Sequence, residues 1–332
     1  MAQSGEGEAY MLTRDNLESK RLDWQHHWAK GIAGNHLIHP TIPLQSIHAV
    51  ADIATGTGAW IRDLAMTTTW PAEKPEFFAF DISADQFPKN DNDNNAADIQ
   101  FRVHDATQPF PEEYTGKFDV VNIRFVTYAI KAKDLQAMVK NIAAILRPKG
   151  YLNWQECDIL DAWASPVTAK ARALVGIVIS ERLARGLTPS MATPLVKAIS
   201  SSSSAKFPSG MVNPMSWTGD ILRIMQLQTI STQDHPEAVV RENTSAIIKK
   251  ATSALLRSGV ERRRAIAAHA GSSEAEEELK TAQDMSDFAD SFETGNDDPG
   301  TSVWNCELTW VVARKAVIKE DSEDWMSARR GN

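Results

Sequence analysis

The stretch Val50–Trp60, Val-Ala-Asp-Ile-Ala-Thr-Gly-Thr-Gly-Ala-Trp, constrains the fold more than any other part of the chain. It starts apolar, passes through Asp52, and ends in a Thr-Gly-Thr-Gly turn before an apolar run, Ala59 to Ala65, of helical character. That order predicts a buried strand, a tight turn and a helix. Gly56 and Gly58 let the backbone turn sharply and come close to a ligand, because no Cβ intervenes. The helix then directs its unpaired N–H groups at whatever lies in the turn.

Two details narrow the ligand. A dinucleotide fingerprint places a third glycine three positions after the second, and a phosphate-cradling loop ends in lysine. Here Ile61 follows Gly58 at that spacing, and no lysine follows the turn. Pyrophosphate ligands are thereby disfavoured. Asp52, just ahead of the turn, can accept from an ammonium group. A cofactor with an adenosine at one end and an amino acid at the other uses both features, and S-adenosylmethionine fits that description.

The Asp-x-Ala-Thr-Gly-Thr-Gly segment resembles the Asp-x-Gly-x-Gly-x-Gly motif of class I S-adenosylmethionine-dependent methyltransferases, with Ala54 in place of the first glycine. Two further runs are more specific: Tyr10-x-Leu12-x-Arg14-Asp15-x-x-Glu18-x-x-Arg21-Leu22-Asp23-x-Gln25-His26-His27, and Phe118-Asp119-Val120-Val121-Asn122-Ile123-Arg124. Both resemble the fungal secondary-metabolism branch, which includes the gliotoxin thiomethyltransferases and the velvet-associated regulator-type methyltransferases. The resemblance covers residues 10–160 well and the remainder loosely. It implies a Rossmann-like sheet and a bound S-adenosylmethionine. It also implies that the N-terminal helix closes over the cofactor, with Tyr10, Arg14, Gln25 and His26 near its polar end. The unaided reading of that helix, a solvated ion-paired face of Arg14, Glu18 and Arg21, stays open beside it.

The chain in order extends the pattern. Residues 13–30 read as helix. The strands expected are 48–53, 77–82 (Phe-Phe-Ala-Phe-Asp-Ile), 99–103, 118–123 and 151–155, with a helix over 134–145 and a turn over 146–150. Continuous apolar runs of this kind belong to parallel strands covered on both faces. Their regular alternation with helices predicts a doubly wound α/β sheet. Asp81 ends its strand about 20 residues after the glycine turn, where an acid can take a ribose diol. A turn or cap aspartate is the competing reading. Asp105 and Ala106 inherit an adenine-binding role from the resemblance; a carboxylate accepts from an exocyclic amine, and a small side chain leaves room for a flat base. Trp60, Ile82, Asn122 and Arg124, at the strand and turn ends, complete the expected cofactor set with Asp52, Ala54, Gly56 and Gly58.

Beyond residue 160 the alternation gives way to helical blocks over 166–185, 191–200, 236–257, 260–269 and 274–292, a serine run at 200–204, and strands near 221–231 and 304–315. The domain reading is a disordered tail over 1–9, a core over 10–160 and a helical lid over 161–300 with one core strand near 221–231. A final core strand over 301–318 and a tail over 319–332 complete it. The acceptor pocket is expected between sheet edge and lid, near Met191, Met211, Met215, Trp217 and Met225, since methionine and tryptophan suit an adaptable apolar cavity. Glu156, Asp158, Tyr128 and His26 are the candidates for a general base. No metal site is expected: His26 and His27 point apart on a helix, and the His36-x-x-His39 pair has no acidic or cysteine companion nearby.

The bulk properties exclude several classes. A formal charge of −8 disfavours a nucleic-acid partner. Two cysteines in 332 residues suggest a reducing compartment. The polar, acidic N-terminus carries no signal-peptide pattern, and no apolar run approaches ~20 residues. A soluble cytoplasmic protein is expected, with a small-molecule acceptor and, at most, a second copy of itself as partners. Three functions remain in view: a small-molecule methyltransferase, a regulator that binds the cofactor and acts through protein partners, and a methyltransferase-fold protein running another reaction such as a cyclisation.

Overall fold

The computed structural model describes residues 14, 16–71, 73–88, 99–157, 163–188, 190–200, 222–233, 235–294 and 303–316. Helix α1 (Asn16–Ile32) precedes β1 (Ala49–Ile53), α2 (Ala59–Thr67), β2 (Glu76–Asp81), β3 (Ile99–Val103) and β4 (Phe118–Arg124). Then come α3 (Leu135–Ile145), β5 (Leu146–Glu156), β6 (Trp163–Ser165), α4 (Ala169–Ala184) and α5 (Ala192–Ser200). The chain continues through β7 (Leu222–Ser231), α6 (Ala238–Ala267), α7 (Ser272–Thr294), β8 (Val303–Asn305) and β9 (Glu307–Lys315).

Seven strands form one sheet in the order β3-β2-β1-β4-β5-β9-β7. Strands β1 to β5 are mutually parallel, and β9 runs antiparallel to both β5 and β7. From β1 the chain steps outward to β2 and β3, then returns to place β4 on the other side of β1. The carboxyl ends of β1 and β4 therefore flank a switch point, where open α/β sheets bind ligands. All five residues of β1 are buried, as is most of β4, so the continuous apolar runs lie between covered faces. Trp60 and Ile61 pack one face of the sheet; Phe78, Phe80 and Phe118 pack the other.

Three sequence expectations are corrected. The turn expected over 146–150 is the first part of β5, carrying a register shift against β4 between Phe118 and Val120. Gly150 fits there because a Cβ would lie 2.8 Å from the Phe118 carbonyl oxygen. The two helices expected over 236–257 and 260–269 are one helix of 30 residues, α6. Gly259 does not break it; a Cβ at that position would overlap the Met285 side chain, so the glycine lets α7 pack closely on α6. The single strand expected over 304–315 divides at Cys306 into β8, which pairs with β6, and β9. The serine run beyond Ser200 lies outside the described residues.

Helices α1, α4, α6 and α7 share one apolar cluster, with Trp28, Leu174, Leu255 and Met285 at its centre. No helix among the described residues is long and apolar enough to cross a membrane.

Candidate active site

The turn after β1 is built by its own backbone. Thr55 N donates to the Phe80 carbonyl (3.0 Å) and Gly58 N to the Thr55 carbonyl (2.9 Å). Ala54, Gly56 and Gly58 all lie in the left-handed region, with φ of 55°, 56° and 72°. A Cβ on Gly58 would meet the Phe101 ring at 2.9 Å, and one on Gly56 would meet Leu22 of α1 at 3.1 Å. Gly58 is thus a packing residue that starts α2, outside the cavity wall, whereas Gly56 lines the cavity. Ala54 occupies a conformation that costs a residue with a Cβ about 1 kcal/mol relative to glycine. Ala54→Gly is therefore expected to raise the thermal midpoint by about 2 °C. An unchanged or lower midpoint in scanning calorimetry would contradict a strained alanine.

Two acids face the turn from neighbouring strands. Asp81 at the end of β2 accepts from Gly56 N through Oδ2 (2.9 Å) and from Ser83 N through Oδ1 (3.2 Å). Burial pushes its carboxyl up, and those two N–H donors oppose the shift. Asp105, after β3, accepts at Oδ1 from Thr107 N (2.9 Å) and Thr107 Oγ1 (2.8 Å). Ala106 is fixed beside it by Asn141 Nδ2, which donates to its carbonyl at 3.1 Å. Ile82 is 56% exposed, an apolar side chain standing in the cavity mouth. Gln86 Nε2 lines the same cavity, buried, with no hydrogen-bond partner among the described residues.

Behind the turn lies a buried polar chain. Asp52 accepts from Thr55 Oγ1 (2.6 Å) and Asn122 Nδ2 (2.7 Å). Asn122 in turn accepts from Asn153 Nδ2 (2.7 Å), and Asn153 Oδ1 accepts from Trp310 Nε1 (2.8 Å). Burial raises the Asp52 carboxyl to about 6, with the Thr55 and Asn122 hydrogen bonds opposing. Arg124, at the end of β4, is held down to about 10 by burial, with the charges of Asp52 and Asp63 opposing.

Arg124 Nη2 donates to His26 Nδ1 at 3.0 Å. The imidazole proton therefore sits on Nε2 and is donated to Asp63 Oδ2 at 2.8 Å. Lys30 also holds Asp63, at 2.7 and 3.0 Å. Burial, the largest cause, lowers His26 to about 4. His26 is thus a neutral bracket between α1 and α2 whose one lone pair is already engaged. That arrangement corrects its expected role as a base. The unfolded chain takes up a proton here as pH falls through 6.5, while the folded chain resists until about 4. Stability from the neutral histidine is present above pH 6.5 and is lost towards pH 4. His26→Gln keeps a donor and an acceptor without titrating. Urea denaturation should show wild type losing about 2–3 kcal/mol relative to this variant between pH 7.5 and 4.5. Parallel pH profiles would contradict the assignment.

These groups meet in one cavity of about 310 Å³ along the carboxyl edge of the sheet. In strand order its wall runs from Asp105 and Ala106 after β3, through Asp81 and Ile82 after β2, to Asp52–Thr57 after β1. It continues through Arg124–Tyr128 after β4 to Cys157 after β5. Arg21, Leu22, Gln25 and His26 close it from α1, with Arg14 just ahead of that helix, and Ala251 and Leu255 from α6.

A family model described as "Methyltransferase domain" matches residues 50–150. The chain is 31% identical over 194 residues to methyltransferase grgD of a Penicillium species, across 57% of this chain and 66% of that protein. It is 26% identical over 147 residues to N-methyltransferase verN of Clonostachys rogersoniana and 26% over 151 residues to N-methyltransferase sirN of Leptosphaeria maculans. These matches cover 44% and 46% of this chain and 50% of each relative.

Residues 50–150 form a methyltransferase domain of the class I fold. The strand order, the switch point and the glycine turn are those of that Rossmann-like fold. The chain's matches span one half to about two thirds of the length of these curated relatives.

Several expected site residues stand elsewhere in the structure. Asn122 does not line the cavity; it is fully buried and steadies Asp52 from behind. Glu156 also stays out of the cavity: its Oε1 accepts from Val126 N (3.0 Å) and Trp154 Nε1 (2.8 Å), so its carboxylate fixes the turn after β4. Tyr128 does line the wall. Trp60 lines it too, with its Nε1 anchored to the Leu37 carbonyl at 3.1 Å. Tyr10, Asp158, Met211, Met215 and Trp217 lie outside the described residues. Met191 is buried in the sheet core and Met225 is exposed on β7, so neither forms the expected acceptor pocket. His39 engages Thr41 Oγ1 at 2.8 Å, and no metal-binding group of three acids, histidines or cysteines stands among the described residues.

Sequence reasoning missed Asp63, Gln86, Phe125, Thr127, Ala251 and Leu255. Asp63 left a visible signal, an acid on an apolar helical stretch. Ala251 and Leu255 left none, because ordinary helix residues become a cavity wall only through long-range packing.

Proposed function

We propose that the protein transfers a methyl group from S-adenosylmethionine to a nitrogen, oxygen or sulfur atom of an apolar small molecule. The observation that carries this reading is the order of groups along the cavity: adenine-type acceptors after β3, a diol-type acid after β2, a glycine turn after β1, and a buried cation after β4. The chain's own residues fit such a ligand. Gln86 Nε2 offers a buried donor, Gly56 leaves space that a Cβ would fill, and Ile82 presents an apolar face for a base.

In this reading Asp105 and Ala106 hold the adenine, Asp81 the ribose hydroxyls, and Asp52, Arg14 and Arg124 the charged amino-acid end. When bound, the cofactor's sulfonium supplies an electrophilic methyl carbon. The protein's task is then alignment, which can lower the barrier by ~7–11 kcal/mol when reacting atoms are held in line. Water is excluded by α1 and α6 above the strand ends. Among the described residues, Tyr128 is the one expected proton acceptor that remains on the wall. The names of the relatives verN and sirN, both N-methyltransferases, favour nitrogen as the acceptor atom.

The test has two parts. Calorimetry should show micromolar or tighter binding of S-adenosylhomocysteine. Incubation with S-adenosylmethionine and a library of apolar amines, phenols and thiols should release S-adenosylhomocysteine together with a product 14 mass units heavier (one CH₂). Cofactor binding without turnover on any small molecule, but with methylation of a protein or RNA, would overturn the acceptor class.

A further inference from the structure

The β4–β5 end of the cavity is closed by α6, and that helix is pinned at both ends. Near its start, Trp28 Nε1 of α1 donates to Thr244 Oγ1 at 2.9 Å, and a Cβ on Gly31 would lie only 3.1 Å from Val240, so the glycine lets the two helices pack closely. Near its end, Arg262 and Arg263 converge on Glu181 of α4, at 3.0 and 2.7 Å. Glu181 is fully buried and the two guanidiniums only partly exposed, so salt screens this junction less than a surface pair. Between the two anchors Ala251 and Leu255, one turn apart on the same helix face, reach the cavity. Leu255 belongs to the apolar cluster against which Phe125, Tyr128 and Cys157 pack, and all of them line the cavity.

Those two rings are also fixed. Phe125 packs against Trp28 at 6.0 Å between centroids, and the Arg182 guanidinium covers Tyr128 at 4.8 Å. A roof held at both ends over two immobilised rings cannot yield to a larger guest as a hinged lid would. The space is set by the side chains themselves, and at the roof one of them is only a methyl group.

We infer that Ala251 and Leu255 determine acceptor size and shape, admitting a flat, apolar, ring-bearing acceptor between α6 and the Phe125–Tyr128 wall. The inference rests on the reading that the cofactor lies across the β3–β4 strand ends. The carboxylates of Asp52, Asp81 and Asp105 stand on other segments of the wall, from β1 to the turn after β3, so a substitution at position 251 should bar acceptors while leaving most cofactor contacts in place.

Cys157 provides a reporter that needs no known acceptor. It lies on the wall at the roofed end, whereas Cys306 is fully buried and serves as the silent control. The experiment measures iodoacetamide alkylation of each cysteine by mass spectrometry in the 332-residue chain saturated with S-adenosylhomocysteine. Wild type should react at Cys157. Ala251→Trp should bind S-adenosylhomocysteine within twofold of wild type yet alkylate Cys157 at least tenfold more slowly, and Leu255→Ala should alkylate it faster. If the tryptophan variant does not fold, Ala251→Met is expected to give a smaller slowing, of about threefold. Unchanged Cys157 reactivity with intact cofactor binding would overturn the assignment. So would loss of S-adenosylhomocysteine binding in a folded position-251 variant, which would put the roof over the wrong end. Failure of wild type to bind S-adenosylhomocysteine would instead sink the proposed function.

Discussion

Replacing Asp81 with alanine is expected to weaken S-adenosylhomocysteine binding about 100-fold or more. A hydrogen bond to a charged group contributes ~1.5–3 kcal/mol, and a ribose diol makes two. Each 1.4 kcal/mol is a factor of ten in affinity. Asp81 has a second duty: its Oδ2 accepts from Gly56 N and fixes the turn that the cofactor must approach. Asp81→Asn keeps the shape and one acceptor, so it should fall between wild type and alanine. Calorimetric titration of the three proteins checks the series. A loss below threefold for the alanine variant would mean that no diol rests on this carboxylate.

Asn153→Leu should be the most damaging single change away from the cavity. Asn153 is fully buried near the middle of the sheet. Its Oδ1 accepts from Trp310 Nε1 (2.8 Å) and His39 N (3.3 Å), and its Nδ2 donates to Asn122 Oδ1 (2.7 Å). Leucine fills similar space but strands all three groups, and each buried orphan costs ~1–3 kcal/mol. A loss of about 4 kcal/mol or more in urea denaturation is expected. Because Asn122 steadies Asp52, cofactor affinity should fall as well, at temperatures where the variant is still folded. Retained stability would show that these groups find other partners.

The contrast between these two residues shows what the sequence could convey. Asp81 was legible as a cavity-wall residue because its place is local: an acid closing an apolar strand, at a set distance beyond a glycine turn. The strands were legible for a related reason. Runs such as Phe77–Phe80 are apolar on both sides, and only a covered parallel strand accommodates that. Asn153 was not legible, since its partners come from positions 39, 122 and 310, and nothing in a short window reveals such a meeting. The same limit explains why two of the residues expected at the acceptor pocket stand elsewhere. Methionines near 191 and 225 suited an apolar cavity by composition, but packing sent one into the core and the other to the surface. Glycines misled in a different way. Gly150 and Gly259 read as punctuation, yet one sits in a bulged strand and the other inside a 30-residue helix, each where a neighbour comes too close for a Cβ. His26 was found by resemblance, but only its hydrogen bonds to Arg124 and Asp63 show that it braces the site.

The most direct test of the central claim is a crystal structure of the protein grown with S-adenosylhomocysteine. It should show the adenine beside Asp105 and Ala106, both ribose hydroxyls on Asp81, and the amino-acid end between Asp52 and Arg124, with the sulfur turned towards Tyr128. A ligand lying in the reverse direction, or density anywhere but across the β3–β4 strand ends, would contradict it.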